Sequence, residues 1–387
     1  MTRRVCVSTG RFIAAAGLLM LMVNGGVADS PAAPAATPET LVEQLGDPDF
    51  TVRDRASQQL IQMGESALAA VRAGRTSPDP EIKFACKRIL SMIEHRAREL
   101  RYEAFLSAST DVQPPGGWER FKRVAGEDKP ARRLFVDMHR AEWDLLETLE
   151  ESPEKMQQKF VQRCTNLVQA SQMLRQQLSL GSVATILFLA GEDDLNAGDY
   201  LGSSIYTFCY QSSFRTAMEG GYKDSLRKVL GRWVASTTSR LTAYNGLMMA
   251  MRYELPEGLV PAKRILEEAG MSHNYKQYAL LAVGKLGVER DVTYLEKYMD
   301  DTMLCATVPR RGETPKYATQ IGDVALAAAI HLSGQDVKEF GFEHAQKNTQ
   351  LLFNANTLGF ESDEERAEAK RKWREFRAST RKEDGGE

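Results

Sequence analysis

The phrase GDPDFTVRDRASQQL, residues 46–60, returns as SPDPEIKFACKRIL, residues 77–90. Pro48-Asp49 falls on Pro78-Asp79, Val52-Arg53 on Ile82-Lys83, Ala56 on Cys86 and Leu60 on Leu90, at a constant offset of 30. Val52, Ala56, Leu60 and Met63 recur at the spacing of one helix face. Asp47 and Pro48 suit a helix start, because a side-chain acceptor serves the free amides and the proline ring has no amide to lose. Gly64 stops this helix, and Ala67, Leu68 and Val71 give a shorter second one. One such pair cannot bury its apolar face alone, so the recurrence calls for stacked neighbours sharing a core.

The same period runs through most of the chain, and no stretch alternates with period two over enough residues to predict a strand. The expected fold is all-α: an α-solenoid of helical hairpins at both ends and a non-repeating helical middle region. The second copy continues through Ile89, Ile93, Ala97 and Leu100 to near Ser107, about 27 residues or roughly 40 Å of helix. DVQPPGG, residues 111–117, marks an interior boundary. Helices are then expected over 118–125, 130–149, 153–178, 203–218 and 224–234, with Phe160, Leu167 and Leu174 at heptad spacing. GSVATILFLAG, residues 181–191, is so apolar that it should be buried on all sides. Hairpin spacing returns at 241–251, 258–269, 275–286, 292–299 and 321–332, and Ser362 with Glu365 makes a capping box for a charged helix.

At the N-terminus, Arg3, Arg4 and Arg11 flank a short apolar stretch, Phe12 to Val23, and Val27-Ala28 offers a cleavage site. The stretch falls short of the roughly 20 residues of a spanning helix, so an export signal over 1–28 is the reading, with no transmembrane span left after cleavage. Residues 29–37 are a Pro/Ala linker. The folded regions are expected at 38–109, 117–234 and 239–335, with an extension over 336–387. The protein is expected to be exported, to a periplasmic or extracellular location. Lys and Arg number 50 and Asp and Glu 52; cleavage removes three arginines and no acid, leaving a formal net charge of −5. That balance argues against a nucleic-acid partner. Cys86, Cys164, Cys209 and Cys305 are far apart in apolar contexts and read as buried thiols.

The repeat phrase, with YALLAVGKLG and DVTYLEKYMDD later, resembles HEAT repeats. GWERFKRVAGEDKPARRLFVDMHRAE, QIGDVALAAAIHLSGQDVKEFGF and TLGFESDEERAEAKRKWREF together resemble a family of exported HEAT-type proteins from planctomycete bacteria. The resemblance implies a fold and a location, and brings no activity or site residue with it.

Enzyme signatures are absent: no phosphate-cradling glycine loop, no Gly-x-Ser-x-Gly elbow, no His-Glu-x-x-His and no paired Cys-x-x-Cys. Ser152 to Lys155 spell Ser-x-x-Lys by chance at a helix start. GEDDLNAGDY, residues 191–200, crowds Glu192, Asp193, Asp194 and Asp199, but lacks the ligand order of a calcium loop and reads as a solvated loop. Asp137, His139 and Glu142 lie within two helical turns, yet Asp137 and His139 point to different faces. His331, near a helix end, reads as a structural histidine, and KRKWREFR, residues 370–377, as a helix whose Trp373 and Phe376 dock. The stretch Asp300–Gln320 reads as a long loop without structure, where Arg310, Arg311, Lys316 and Tyr317 could meet an anionic partner.

The leading expectation is a non-catalytic binding or scaffolding protein of the bacterial cell envelope with a protein partner, no cofactor and no metal. The alternative is an enzyme or a small-ligand or metal-binding protein, with a site near Trp118, Asp137, His139 and the acidic loop.

Overall fold

The structure, a computed structural model, describes residues 36–107, 113–150, 152–195, 198–309 and 315–384. The export segment read at 1–28 lies outside them. The described residues are predominantly helical and fall into two compact units, divided between Ala97 and Arg98.

The first unit holds α1 (Pro38–Gln44), α2 (Phe50–Met63), α3 (Leu68–Gly74) and most of α4 (Pro80–Leu106). The repeat is visible in its caps. Asp49 Oδ1 accepts from the Thr51 amide at 2.8 Å, and Asp79 Oδ1 from the Glu81 amide at 2.8 Å. The cap is therefore Asp49, two residues after the expected Asp47, which instead accepts from the Asp49 amide. Ala56, Cys86, Leu60 and Leu90, the matched pairs of the repeat, are all buried with Leu41, Val71, Ile89 and Ile93. Gly74 admits this packing, since a Cβ there would sit 2.4 Å from Cys86 Sγ. The 27 residues of α4 match the expected length, but Leu100 leaves the stripe and is 57% exposed.

The second unit contains two cores. The first surrounds α8 (Leu180–Ala190), whose residues from Val183 to Leu189 are all buried, as its uniform apolarity requires. It packs on α6 (Lys129–Glu147) and α11 (Lys223–Ser236), with α5 (Trp118–Ala125) and α7 (Pro153–Gln172) beside them. α7 ends before Leu174, which is 67% exposed and not part of a heptad seam. The single helix expected over 203–218 is instead two, α9 (Gly198–Phe208) and α10 (Ser212–Glu219).

The second core packs α12 (Arg240–Tyr253), α13 (Leu259–Glu267), α14 (His273–Leu286), α15 (Val292–Glu296) and α16 (Ile321–Leu332), with α14 against α12, α13 and α16. The stretch Asp300–Gln320 is not structureless. Strand β1 (Leu304–Pro309) pairs antiparallel with β2 (Pro315–Gln320), setting Thr307 opposite Ala318 and Val308 opposite Tyr317. The strands are too short for period-two counting, and one partner is remote: Ala318 exchanges both backbone bonds with Phe360, at 3.2 and 3.3 Å. A minor pair, β3 (Lys347–Asn348) and β4 (Leu352–Phe353), follows.

The charged helix α17 (Asp363–Asp384) begins with Ser362 Oγ accepting from the Glu365 amide at 3.2 Å, while the Glu365 carboxylate reaches the Glu361 amide at 3.0 Å. Trp373 is buried against Phe340 and Phe376, the docking expected of that helix. Arg366 Nε donates to the fully buried Asp323 Oδ1 at 2.8 Å, and its Nη2 donates to the Ala318 carbonyl at 3.1 Å. Asp323 Oδ2 also accepts from the Gln320 amide at 2.8 Å, capping α16.

Candidate functional site

Asp137, His139 and Glu142 each bond a different partner and do not converge. His139 is fully buried, with its ring against Tyr102 and Phe135. Its Nε2 donates to the Gly116 carbonyl at 2.8 Å, and its Nδ1 has no partner. Burial pulls its pKa down to about 4, so the ring is neutral. Asp137 accepts from the Tyr222 hydroxyl at 2.7 Å; burial first, and then this bond, push the phenol up to about 12. Glu142 pairs with Arg163 on α7. Trp118 is a core residue, packed among Phe105, Phe121 and Phe135. Among the described residues no group of three or more His, Cys, Asp or Glu side chains could hold a metal ion.

The acidic loop is answered by arginines. Arg120 Nη1 reaches Glu192 at 3.2 Å and Asp194 at 3.3 Å, while Arg232 donates to Asp193 at 2.8 Å and to the Gly191 carbonyl at 3.0 Å. These carboxylates staple the turn to α5 and α11, and a cation would have to displace two guanidinium groups. Ser152 caps α7 through the Lys155 amide at 3.3 Å, which explains the Ser-x-x-Lys string as a helix start. His331 is half-buried, edge-on to Phe353 and lowered in pKa by burial. Cys86, Cys164, Cys209 and Cys305 are unpaired; burial pushes the Cys164 thiol up to about 12, where little thiolate exists.

Tyr317 on β2 stacks on His344, with ring centres 4.3 Å apart and planes 13° from parallel; His344 Nε2 lies 3.2 Å from Glu361. Tyr317 is thus tied to the segment around Glu361, next to the Ala318–Phe360 bridge. Lys316 neighbours it on β2, and Arg310 and Arg311 lie outside the described residues.

Two surfaces escaped the sequence reading. The first lies on the repeat itself. Phe50 and Phe84, 70% and 71% exposed, line an open groove of about 440 Å³ between the first turns of α2 and α4. Arg53 stands 5.8 Å from the Phe50 ring, and Arg88 Nη2 reaches Ser57 Oγ at 3.5 Å. Neither phenylalanine falls on the buried stripe of its helix, and that mismatch was the available signal.

The second surface is a cleft of about 590 Å³ between α6 and α7. α6 breaks at Glu142, whose φ of −140° and ψ of 39° are not helical. The break falls where α8 crosses: a Cβ on Gly181 would come 2.1 Å from the Asp137 carbonyl oxygen, so glycine alone permits this approach. Glu142 is held on the cleft floor by Arg163 Nε and Nη2, both at 2.7 Å, and by Ser182 Oγ at 2.6 Å. The next residue, Trp143, lines the cleft and is 42% exposed, whereas Trp118, Trp233 and Trp373 are each buried. No known protein-family model, no curated protein and no solved structure matches this chain.

Proposed function

We propose that the chain is a non-catalytic binding or scaffolding protein of the bacterial cell envelope, built as an α-solenoid of HEAT-like hairpins and docking a protein partner on the first of them. The observation that carries this reading is the groove between α2 and α4, where two phenylalanines of a small unit face solvent. Exposed large aromatics grouped in one concavity are what a protein interface core uses, and isolated surface residues do not need them. The matched Asp49 and Asp79 caps and the shared burial of the repeat pairs support the hairpin reading. So does the packing of α14 between α13 and α16.

The test is crosslinking and affinity capture from envelope extracts, with wild type beside the Phe50→Ser/Phe84→Ser variant. Both side chains are mostly exposed, so the variant should melt close to wild type while losing the captured protein. A second variant, with Arg310, Arg311 and Lys316 changed to alanine, separates the hairpin from the groove. Recovery of the same partner by the phenylalanine variant, or of none by wild type, overturns the proposal.

A further inference from the structure

We propose that the cleft at the α6 break is a binding site for an uncharged, hydroxyl-rich ring, a sugar unit of a glycan. Its ligand chemistry is set by what the lining residues have left to offer. The charged members are paired with each other: Glu142 with Arg163, and Asp144 with Lys159 at 3.3 Å. Among the lining residues no cation is left unanswered for a phosphate or carboxylate, and no carboxylate for an amine. What stays available is one indole and a row of amides. Gln158, Gln162 and Asn166 stand at successive i, i+4 positions along the cleft face of α7, all exposed, with Gln162 Nε2 donating to Asn166 at 3.1 Å.

An aromatic ring beside primary amides matches both aspects of a pyranose, whose C–H face is apolar and whose hydroxyl rim gives and accepts hydrogen bonds. The geometry is also fixed before any ligand arrives. Three bonds lock the Glu142 carboxylate, and the guanidinium of Arg98, 4.5 Å from the indole centre, holds Trp143. The cleft volume lies within the range of about 300–1,000 Å³ common for small-ligand sites. The cleft opens where α6 is interrupted at Glu142, with the exposed Trp143 beside a buried carboxylate that makes three bonds.

Trp143 also supplies the readout. The full chain is titrated with cellobiose, maltose and chitobiose while tryptophan emission and acrylamide quenching are followed, with inorganic phosphate and spermidine as charged controls. A saturable change with at least one disaccharide, and protection of the quenchable tryptophan, are expected. Trp143→Phe should abolish the signal. Gln162→Ala, which keeps the fluorophore and lies on the surface, should weaken binding at least about tenfold with unchanged thermal unfolding. No response to any of the three sugars overturns the proposal. So does saturation by phosphate or spermidine instead, or an equal response in Gln162→Ala.

Discussion

Arg366→Met is expected to destabilise the protein by about 3–5 kcal/mol at neutral pH, because it strands the fully buried Asp323 carboxylate without its counter-ion. Methionine keeps the apolar stem, so what is lost is the charge and the hydrogen bonds to Asp323, Asp363 and Ala318. The effect has a pH signature. Burial, the largest influence on Asp323, already pushes its pKa above the usual aspartate value despite the pull of the Gln320 amide and Arg366. Removing the guanidinium raises it further. A carboxyl whose folded pKa exceeds its unfolded one adds stability at low pH that is lost as pH rises through the folded value. The deficit of the variant should therefore narrow as the solution is acidified. Urea unfolding of both proteins across pH checks this; a deficit under 1 kcal/mol at neutral pH, or one that does not narrow, contradicts the assignment.

His139 gives the opposite slope. Its folded pKa, about 4, lies below the ordinary histidine value of 6.5, so the unfolded chain takes up a proton that the native state refuses. Stability is unaffected by this group above pH 6.5 and falls as pH drops from there toward 4, by about 3 kcal/mol in all. His139→Gln, which retains a donor for the Gly116 carbonyl, should flatten the profile in that window by the same amount. If unfolding midpoints of the variant and wild type fall in parallel between those pH values, another group is responsible.

Much of the helical architecture was legible because it is written locally. The repeat pairs Ala56/Cys86 and Leu60/Leu90, the length of α4, the uniform apolarity of α8 and the docking of Trp373 follow from spacing that one helix face imposes. The hairpin at 304–320 was not legible, since Ala318 finds its backbone partner at Phe360. The cap falls at Asp49, two residues past the expected Asp47, because both side chains accept amides within the same turn. Neither solvent-facing surface is marked by a catalytic or metal-ligand motif in the sequence. Glu142 was noticed as a candidate ligand and proves to be the pinned floor of a cleft. Trp143 beside it carries no local signal, because the Gly181 approach next to the α6 break lies about forty residues along the chain.

The anchors of α17 set an order of events during folding. Arg366 meets Asp323 across 43 residues, Lys370 meets Asp300 across 70, and Arg377 meets Glu296 across 81. Contacts so distant in sequence are slow to close, whereas α14, α15 and α16 find one another over shorter loops. By that ordering α17 docks last, and until it does Asp323 lacks its guanidinium partner. A protease present during maturation would find its window before that step, and the arrival of one arginine would close it.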